Sequence, residues 1–73
     1  MLKLTPSMLA NSRTIAKGRG IRDIERLVNT YGGKAAHWFK KSTTPLFVDG
    51  KIVEIHWYEC HGIGRVELKI KRL

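Results

Sequence analysis

The chain has 73 residues, 42% of them hydrophobic, and a formal net charge of +8 because 14 Lys and Arg outnumber 6 Asp and Glu. This length allows one domain with one small core and leaves no room for a separate cofactor domain. No apolar run approaches the roughly 20 residues of a membrane span. The charge favours nucleic acid, anionic lipid or an acidic protein as a partner.

A first helix is predicted near the N-terminus. Thr5 followed by Pro6 is typical of a helix start, and the apolar residues after it recur at helical spacing. This pattern predicts a helix over residues 6–16. The Lys-Gly-Arg-Gly sequence at residues 17–20 then indicates a flexible turn, with a contact between Arg19 and a nucleic-acid backbone as the alternative.

A second helix and a first extended segment follow. Apolar residues at helical spacing predict an amphipathic helix over residues 21–31, ending at Gly32. Residues 34–42 are predicted to be extended, with one lysine on each face and either Trp38 or Phe39 pointing inward. Pro45 cannot donate to a sheet ladder, so a bulge or an edge is expected there.

The remaining chain predicts two further strands. Asp49-Gly50 is a strong signal for a type I′ turn, and it leads into a middle strand over residues 51–59. If pairing around that turn is uninterrupted, Lys41 lies opposite Tyr58 and Thr43 lies opposite His56.

The main β-hairpin is predicted over residues 53–73, because apolar and polar side chains alternate in both arms. A two-residue turn at residues 61–62, or a loop over residues 61–64, gives one register. The apolar pairs are Trp57 with Val66, Ile55 with Leu68 and Val53 with Ile70. The polar pairs are Tyr58 with Arg65, His56 with Glu67 and Glu54 with Lys69. A slip of one residue would set apolar against charged side chains, so we expect this register to hold.

Together these elements predict a single α+β domain, residues 1–73, in which two N-terminal helices pack on a three-stranded antiparallel β-meander. We expect the apolar pairs to lie beneath the helices and the polar pairs to form an open face. Cys60 is the one cysteine, so no internal disulfide forms, and we expect it to be partly exposed at the hairpin end. The three His residues and Cys60 lack standard ligand spacing, so no metal or other cofactor is predicted.

The predicted open face suits RNA cleavage without a metal ion. A base removes the proton of a ribose 2′-hydroxyl, the oxygen attacks phosphorus, cations stabilise the added charge, and an acid protonates the leaving 5′ oxygen. An imidazole can perform either proton transfer. The candidate catalytic residues are His56, Glu54, Glu67, Tyr58 and Arg65. The candidate nucleic-acid-binding residues are Lys40, Lys41, Thr43, Lys69, Lys71 and Arg19.

Three segments carry a family resemblance: GGKAAHWFKK, DGKIVEIHWYE and GRVELKIK. In layout and local sequence, about residues 20–73 resemble the barnase/EndoU/colicin/RelE group of ribonuclease toxins, found as C-terminal domains of bacterial polymorphic and contact-dependent inhibition toxins. The resemblance implies metal-independent RNA cleavage, often of tRNA, and neutralisation by an acidic immunity protein or antitoxin. It also implies action in the bacterial cytoplasm, with delivery as the tail of a larger secreted or surface effector.

Two other functions fit the same composition. A basic sheet with exposed aromatic side chains can bind RNA or DNA without cleaving it, by phosphate contacts and base stacking. The chain can also be a protein-interaction or regulatory module whose charged face is simply solvated. Passive binding does not need paired Glu and His, so Glu54 and Glu67 favour the nuclease interpretation.

Overall fold

The computed structural model describes residues 3–73 of the chain. It contains one five-stranded antiparallel sheet and two α-helical segments. In chain order the elements are α1 (Pro6–Ala10), β1 (Arg13–Lys17), α2 (Ile24–Tyr31), β2 (Trp38–Ser42), β3 (Leu46–Val48), β4 (Lys51–Cys60) and β5 (Gly64–Arg72). Single 3-10 turns at Gly18–Gly20 and Ala35–His37 precede α2 and β2. Within residues 3–73, no helix is both long enough and apolar enough to cross a bilayer.

The predicted arrangement of two helices on a three-stranded meander is wrong. The fold is α+β, but α1 ends at Ala10, and residues 13–17 form a strand paired with β2 instead of continuing the helix. A five-residue helix has little stability of its own, and the β-branched pair Thr14-Ile15 favours a strand. Within residues 3–73, only α2 is longer than two helical turns, and it begins at Ile24 rather than at residue 21.

Strand β4 is the centre of the sheet. One of its edges pairs with β5, and its other edge pairs with β3 along the first half and with β2 along the second half. Strand β1 extends the sheet beyond β2. The break between β2 and β3 is bridged by Thr43, whose N–H donates to the Ile55 carbonyl at 3.0 Å and whose Oγ1 accepts from the Ile55 N–H at 3.0 Å.

The two turns that flank β4 differ in how well they were predicted. Asp49 and Gly50 have φ of 49° and 75° and connect β3 to β4 with Phe47 opposite Ile52, so the type I′ turn is confirmed. The break at Pro45 then shifts β2 by one position, so Lys40 rather than Lys41 lies opposite Tyr58. The β4–β5 loop has three residues, because Cys60 pairs with Gly64, and the predicted hairpin register is therefore wrong.

A β-bulge in β5 explains how the hairpin accommodates this shift. Trp57 faces two residues of β5, Glu67 and Leu68, and Glu67 has a φ of 57°. The extra residue exchanges the faces on which β5 side chains lie. Before the bulge Arg65 lies opposite Glu59, and after it Lys69 lies opposite His56. Arg65 and Lys69 were predicted on one face, but they lie on opposite faces.

The two sheet faces are also exchanged relative to prediction. We call the face that carries Trp38, Tyr58 and Cys60 the helix face, because the core cluster joins it to α2. The buried members of that cluster are Ile21, Ile24, Leu27, Trp38 and Cys60. By strand alternation, Glu54 and His56 share the helix face with Tyr58. Val53, Ile55 and Trp57 are buried on the far face. There Met8 of α1 lines a groove with Val53 and Ile55.

We expect the hydrogen bond from the Ile55 N–H to Thr43 Oγ1 to stabilise the fold at the break between β2 and β3. Thr43→Val keeps the side-chain shape but leaves the buried Ile55 N–H without an acceptor, which should lower the free energy of unfolding by about 1–3 kcal/mol. Urea denaturation measures this loss. The control is Thr44→Val at the adjacent exposed position, and equal stability of the two variants would contradict the assignment.

Candidate functional site

A cleft of about 240 Å³ opens on the helix face, beside the start of α2. Strands β2, β4 and β5 form its floor, and the first turn of α2 forms one wall. The ionisable groups that line it are Asp23, Arg26, Lys40, His56, Tyr58, Glu67 and Lys69. The cleft therefore brings together one imidazole, one phenol, three cations and two carboxylates.

A chain of three polar side chains, two of them largely buried and the third exposed, borders this cleft. His56 Nε2 lies 3.0 Å from Glu54 Oε1, and Arg13 Nη2 donates to Glu54 Oε2 at 3.0 Å. The side chains of His56 and Glu54 are only 14% and 8% exposed. The strand register explains these contacts. Arg13 pairs with Ser42 and Ser42 pairs with His56, so Arg13 and His56 lie in one row across the sheet. Glu54 lies two residues from His56 on the same face of β4.

These contacts keep Glu54 ionised. The hydrogen bond with His56 is the main cause that lowers the pKa of Glu54, and the charge of Arg13 adds to it, against the opposing effect of burial. Glu54 is therefore an anion, and the His56 nitrogen facing it carries a proton. In the neutral ring, Nδ1 then holds a free lone pair. Within residues 3–73, Nδ1 is buried and has no hydrogen-bond partner.

Glu67 is held by α2 rather than free in the cleft. Arg26 donates to both of its carboxylate oxygens at 2.9 Å, and the Tyr31 hydroxyl donates to Oε2 at 2.8 Å. The bond from Arg26 and then that from Tyr31 lower the pKa of Glu67, and the bond to Glu67 raises the pKa of Arg26. Glu67 is thus a fixed anion that anchors α2 and positions Arg26, and it lies apart from the His56–Glu54 pair.

Tyr58 lines the same cleft as His56 and Glu67. Its hydroxyl donates to Asp23 Oδ2 at 3.4 Å, and Lys40 Nζ lies 5.9 Å from the centre of its ring. Burial, followed by the nearby charge of Asp23, raises the pKa of Tyr58. The phenol therefore stays protonated and can act as a hydrogen-bond donor.

Several residues predicted for the site lie outside the cleft. Arg65 Nε lies 3.7 Å from Glu59 Oε1 on the far face, and Lys41 donates to Thr14 Oγ1 there. Thr43 is fully buried in the sheet, so it is not available to a nucleic acid. The other predicted nucleic-acid-binding residues are placed as follows: Lys40 and Lys69 line the cleft, Lys71 lies opposite Glu54 on the helix face, and Arg19 lies in the exposed turn before α2.

Cys60 is 4% exposed, so the predicted partial exposure is wrong. It belongs to the core cluster under α2, and burial raises the pKa of its thiol. A buried thiol with a raised pKa is a poor nucleophile. Among residues 3–73, no three His, Cys, Asp or Glu side chains are grouped so that they could hold a metal ion.

Sequence reasoning missed Arg13, Arg26 and Asp23. Arg13 falls within the predicted helix over residues 6–16, and only its strand pairing brings it to Glu54. The Thr14-Ile15 pair was the one available signal for that strand. Asp23 and Arg26 fall within the predicted helix over residues 21–31, and no local pattern links Asp23 to Tyr58, 35 positions later, or Arg26 to Glu67, 41 positions later.

The lowered pKa values of Glu54 and Glu67 give a pH dependence of stability. A carboxylate whose pKa in the folded state lies below its ordinary value of 4.5 stabilises the fold above that value, and the stabilisation is lost as pH falls through the folded pKa. We therefore expect the free energy of unfolding to fall below about pH 4.5, and to fall less in Glu67→Gln. Urea denaturation from pH 7 to pH 3 measures both.

The matched control is Glu25→Gln, because Glu25 is exposed in the first turn of the same helix and forms no salt bridge within residues 3–73. Glu25→Gln should follow the wild-type pH curve. If Glu67→Gln follows it too, the Arg26–Glu67 contact does not stabilise the fold.

In comparisons with known proteins, no family model matches this chain, and no curated protein and no solved structure matches it.

Proposed function

We propose that this chain is an RNA endonuclease that needs no metal ion and uses His56 for proton transfer. The observation that carries the proposal is the His56–Glu54–Arg13 contact at the edge of a cleft with three cations. A carboxylate that orients one ring nitrogen leaves the other nitrogen able to accept a proton, which is the arrangement that general-base catalysis needs.

In the proposed reaction, His56 Nδ1 takes the proton from a ribose 2′-hydroxyl. The 2′ oxygen forms a bond to the adjacent phosphorus while the bond from phosphorus to the 5′ oxygen breaks. The products are a 2′,3′-cyclic phosphate and a free 5′-hydroxyl. Nδ1 is buried, so the side chains that cover it must move when RNA binds.

Tyr58 is assigned to the leaving group. It lies two residues from His56 on the same face of β4, a spacing of about 7 Å along the strand. Its hydroxyl is protonated and can give a proton to the departing 5′ oxygen. Asp23, which accepts a hydrogen bond from this hydroxyl, orients it.

The cations Lys40, Lys69 and Arg26 are assigned to the phosphate. Charge builds up on the non-bridging oxygens as the 2′ oxygen attacks, and fixed cations stabilise it. Glu67 holds Arg26 in place through two hydrogen bonds, so the guanidinium is already oriented before RNA binds.

The resemblance in sequence extends this proposal to the substrate and the setting. We propose tRNA as the substrate, an acidic immunity protein or antitoxin as a partner, and the bacterial cytoplasm as the place of action, with delivery by a larger effector. The net charge of +8 supports an acidic partner, because a protein that covers the cleft must compensate it.

A second candidate function is RNA binding without cleavage. The burial of Nδ1 and the engagement of Glu67 with α2 favour it, because both reduce the number of groups free for proton transfer. Lys40 and Lys69 would still contact phosphates.

The test is incubation of the purified chain with total tRNA in EDTA. We expect discrete fragments that end in a cyclic phosphate. His56→Ala should lower the cleavage rate about 100- to 10,000-fold, because it removes the base, and Glu54→Gln should lower it as well. Circular dichroism checks that both variants fold.

The matched control is His61→Ala, which removes an exposed histidine from the β4–β5 loop. It should cleave at the wild-type rate. Full activity in His56→Ala would reject the proposed base, and salt-sensitive retention of tRNA without fragments would favour the binding function.

A further inference from the structure

The helix face continues beyond the cleft as a strip of sheet whose outer row is exposed. Going from His56 towards the Asp49-Gly50 turn, the next row on this face pairs Glu54 with Lys71. The row after that joins Phe47, Ile52 and Leu73, since Phe47 pairs with Ile52 and the Leu73 N–H donates to the Ile52 carbonyl. These three apolar side chains are 77%, 52% and 68% exposed.

This strip begins at the cleft and leads away from it. Ile52 and His56 lie four residues apart on the same face of β4, which is about 13 Å along the strand. Lys69 lies opposite His56 and Lys71 lies one row further, so two ammonium groups border the path between the cleft and Phe47. Within residues 3–73, neither lysine forms a salt bridge.

We propose that this strip binds single-stranded RNA that leads away from the cleft, with a nucleobase stacked on Phe47 and phosphates contacted by Lys69 and Lys71. The proposal rests on the proposed function only in identifying the cleft as the place of cleavage. An exposed aromatic ring beside a line of cations is the combination that holds single strands, because every base offers a face for stacking.

Charge argues for RNA over a second copy of the chain on this strip. A second copy of the chain would bring the same lysines together on two molecules that each carry +8. A nucleic-acid strand instead brings one negative charge per nucleotide along the line that Lys69 and Lys71 follow. The row that contains Phe47 lies on the same sheet face as the cleft, so one RNA strand can contact both. The groove lined by Met8 lies on the far face.

The test measures binding of a fluorescently labelled RNA of about eight nucleotides, within the range of single-strand site sizes. Each ribose carries a 2′-O-methyl group, so the RNA cannot be cleaved. Phe47→Leu keeps an apolar side chain but removes the ring, and it should weaken binding by roughly 5- to 100-fold. Phe47→Tyr should bind like wild type.

A set of RNAs with one base removed at each position in turn sharpens this test. If Phe47 stacks on one base, removal of that base should cancel the difference between wild type and Phe47→Leu, and removal of a distant base should not. An equal loss on every RNA would overturn the stacking assignment.

The contact between Lys71 and phosphate is tested by comparing Lys71 with the adjacent residue, Arg72. Lys71 lies on the helix face and Arg72, opposite Val53, lies on the far face. Lys71→Gln should lower the salt slope of binding by about 0.7, the value for one phosphate of a single strand, and Arg72→Gln should change it less. Equal slopes for the two variants would overturn the assignment of Lys71.

The outcomes separate this inference from cleavage by His56. If wild type binds the uncleavable RNA in a way that needs Phe47 but releases no fragments from tRNA, the strip is supported and the nuclease is rejected. If tRNA is cut but Phe47→Leu and Lys71→Gln bind normally, the strip is rejected. Sedimentation showing self-association that Phe47→Leu abolishes, with unchanged RNA affinity, also rejects it.

Discussion

The buried contact between Glu54 and His56 is the constraint on which the rest of the molecule depends. An ionised carboxylate that is 8% exposed needs compensating charge and hydrogen bonds, or its burial would destabilise the fold. Arg13 supplies the charge, and it reaches Glu54 because β1 pairs with β2, which places Arg13 in the same row as His56. The edge strand β1 is therefore as much a part of the candidate site as the central strand β4.

The helix face holds two ionic clusters with different tasks. Arg13 and Glu54 fix one ring nitrogen of His56 inside the sheet, whereas Arg26 and Tyr31 fix Glu67 at the boundary between α2 and the sheet. The first cluster leaves the buried Nδ1 of His56 without a hydrogen-bond partner within residues 3–73, whereas the second holds both oxygens of Glu67 in hydrogen bonds. Of the two glutamates that the sequence marks as equivalent partners for His56, only Glu54 has the geometry for that role.

Local patterns in the sequence identified the parts of the fold that local physics determines. The Asp49-Gly50 turn, strand β4 and most of α2 depend on φ preferences and side-chain periodicity, which act over a few residues. The strand at Arg13, the bulge at Glu67 and the side on which α2 packs depend on contacts between distant segments. A helical spacing of apolar residues therefore hid β1, and regular alternation in β5 hid the irregularity opposite Trp57.

The same division holds for the candidate site. Glu54, His56 and Tyr58 alternate on one strand, so their shared face followed from the sequence whatever the register was. Arg65 and Lys69 lie on either side of the bulge, so no rule of alternation could place both. Arg13 and Arg26 come from elements whose docking only the folded structure defines.

The bulge at Glu67 has one further consequence for how this hairpin can change. Before the bulge the even-numbered residues of β5 lie on the helix face, and after it the odd-numbered residues lie there. Deletion of Glu67 would leave Leu68 alone opposite Trp57 and turn the bulge into regular pairing, with Lys69 still opposite His56 and Val66 still beneath α2. Such a deletion would keep Lys69 and Lys71 on the helix face and would remove the carboxylate to which Arg26 and Tyr31 donate.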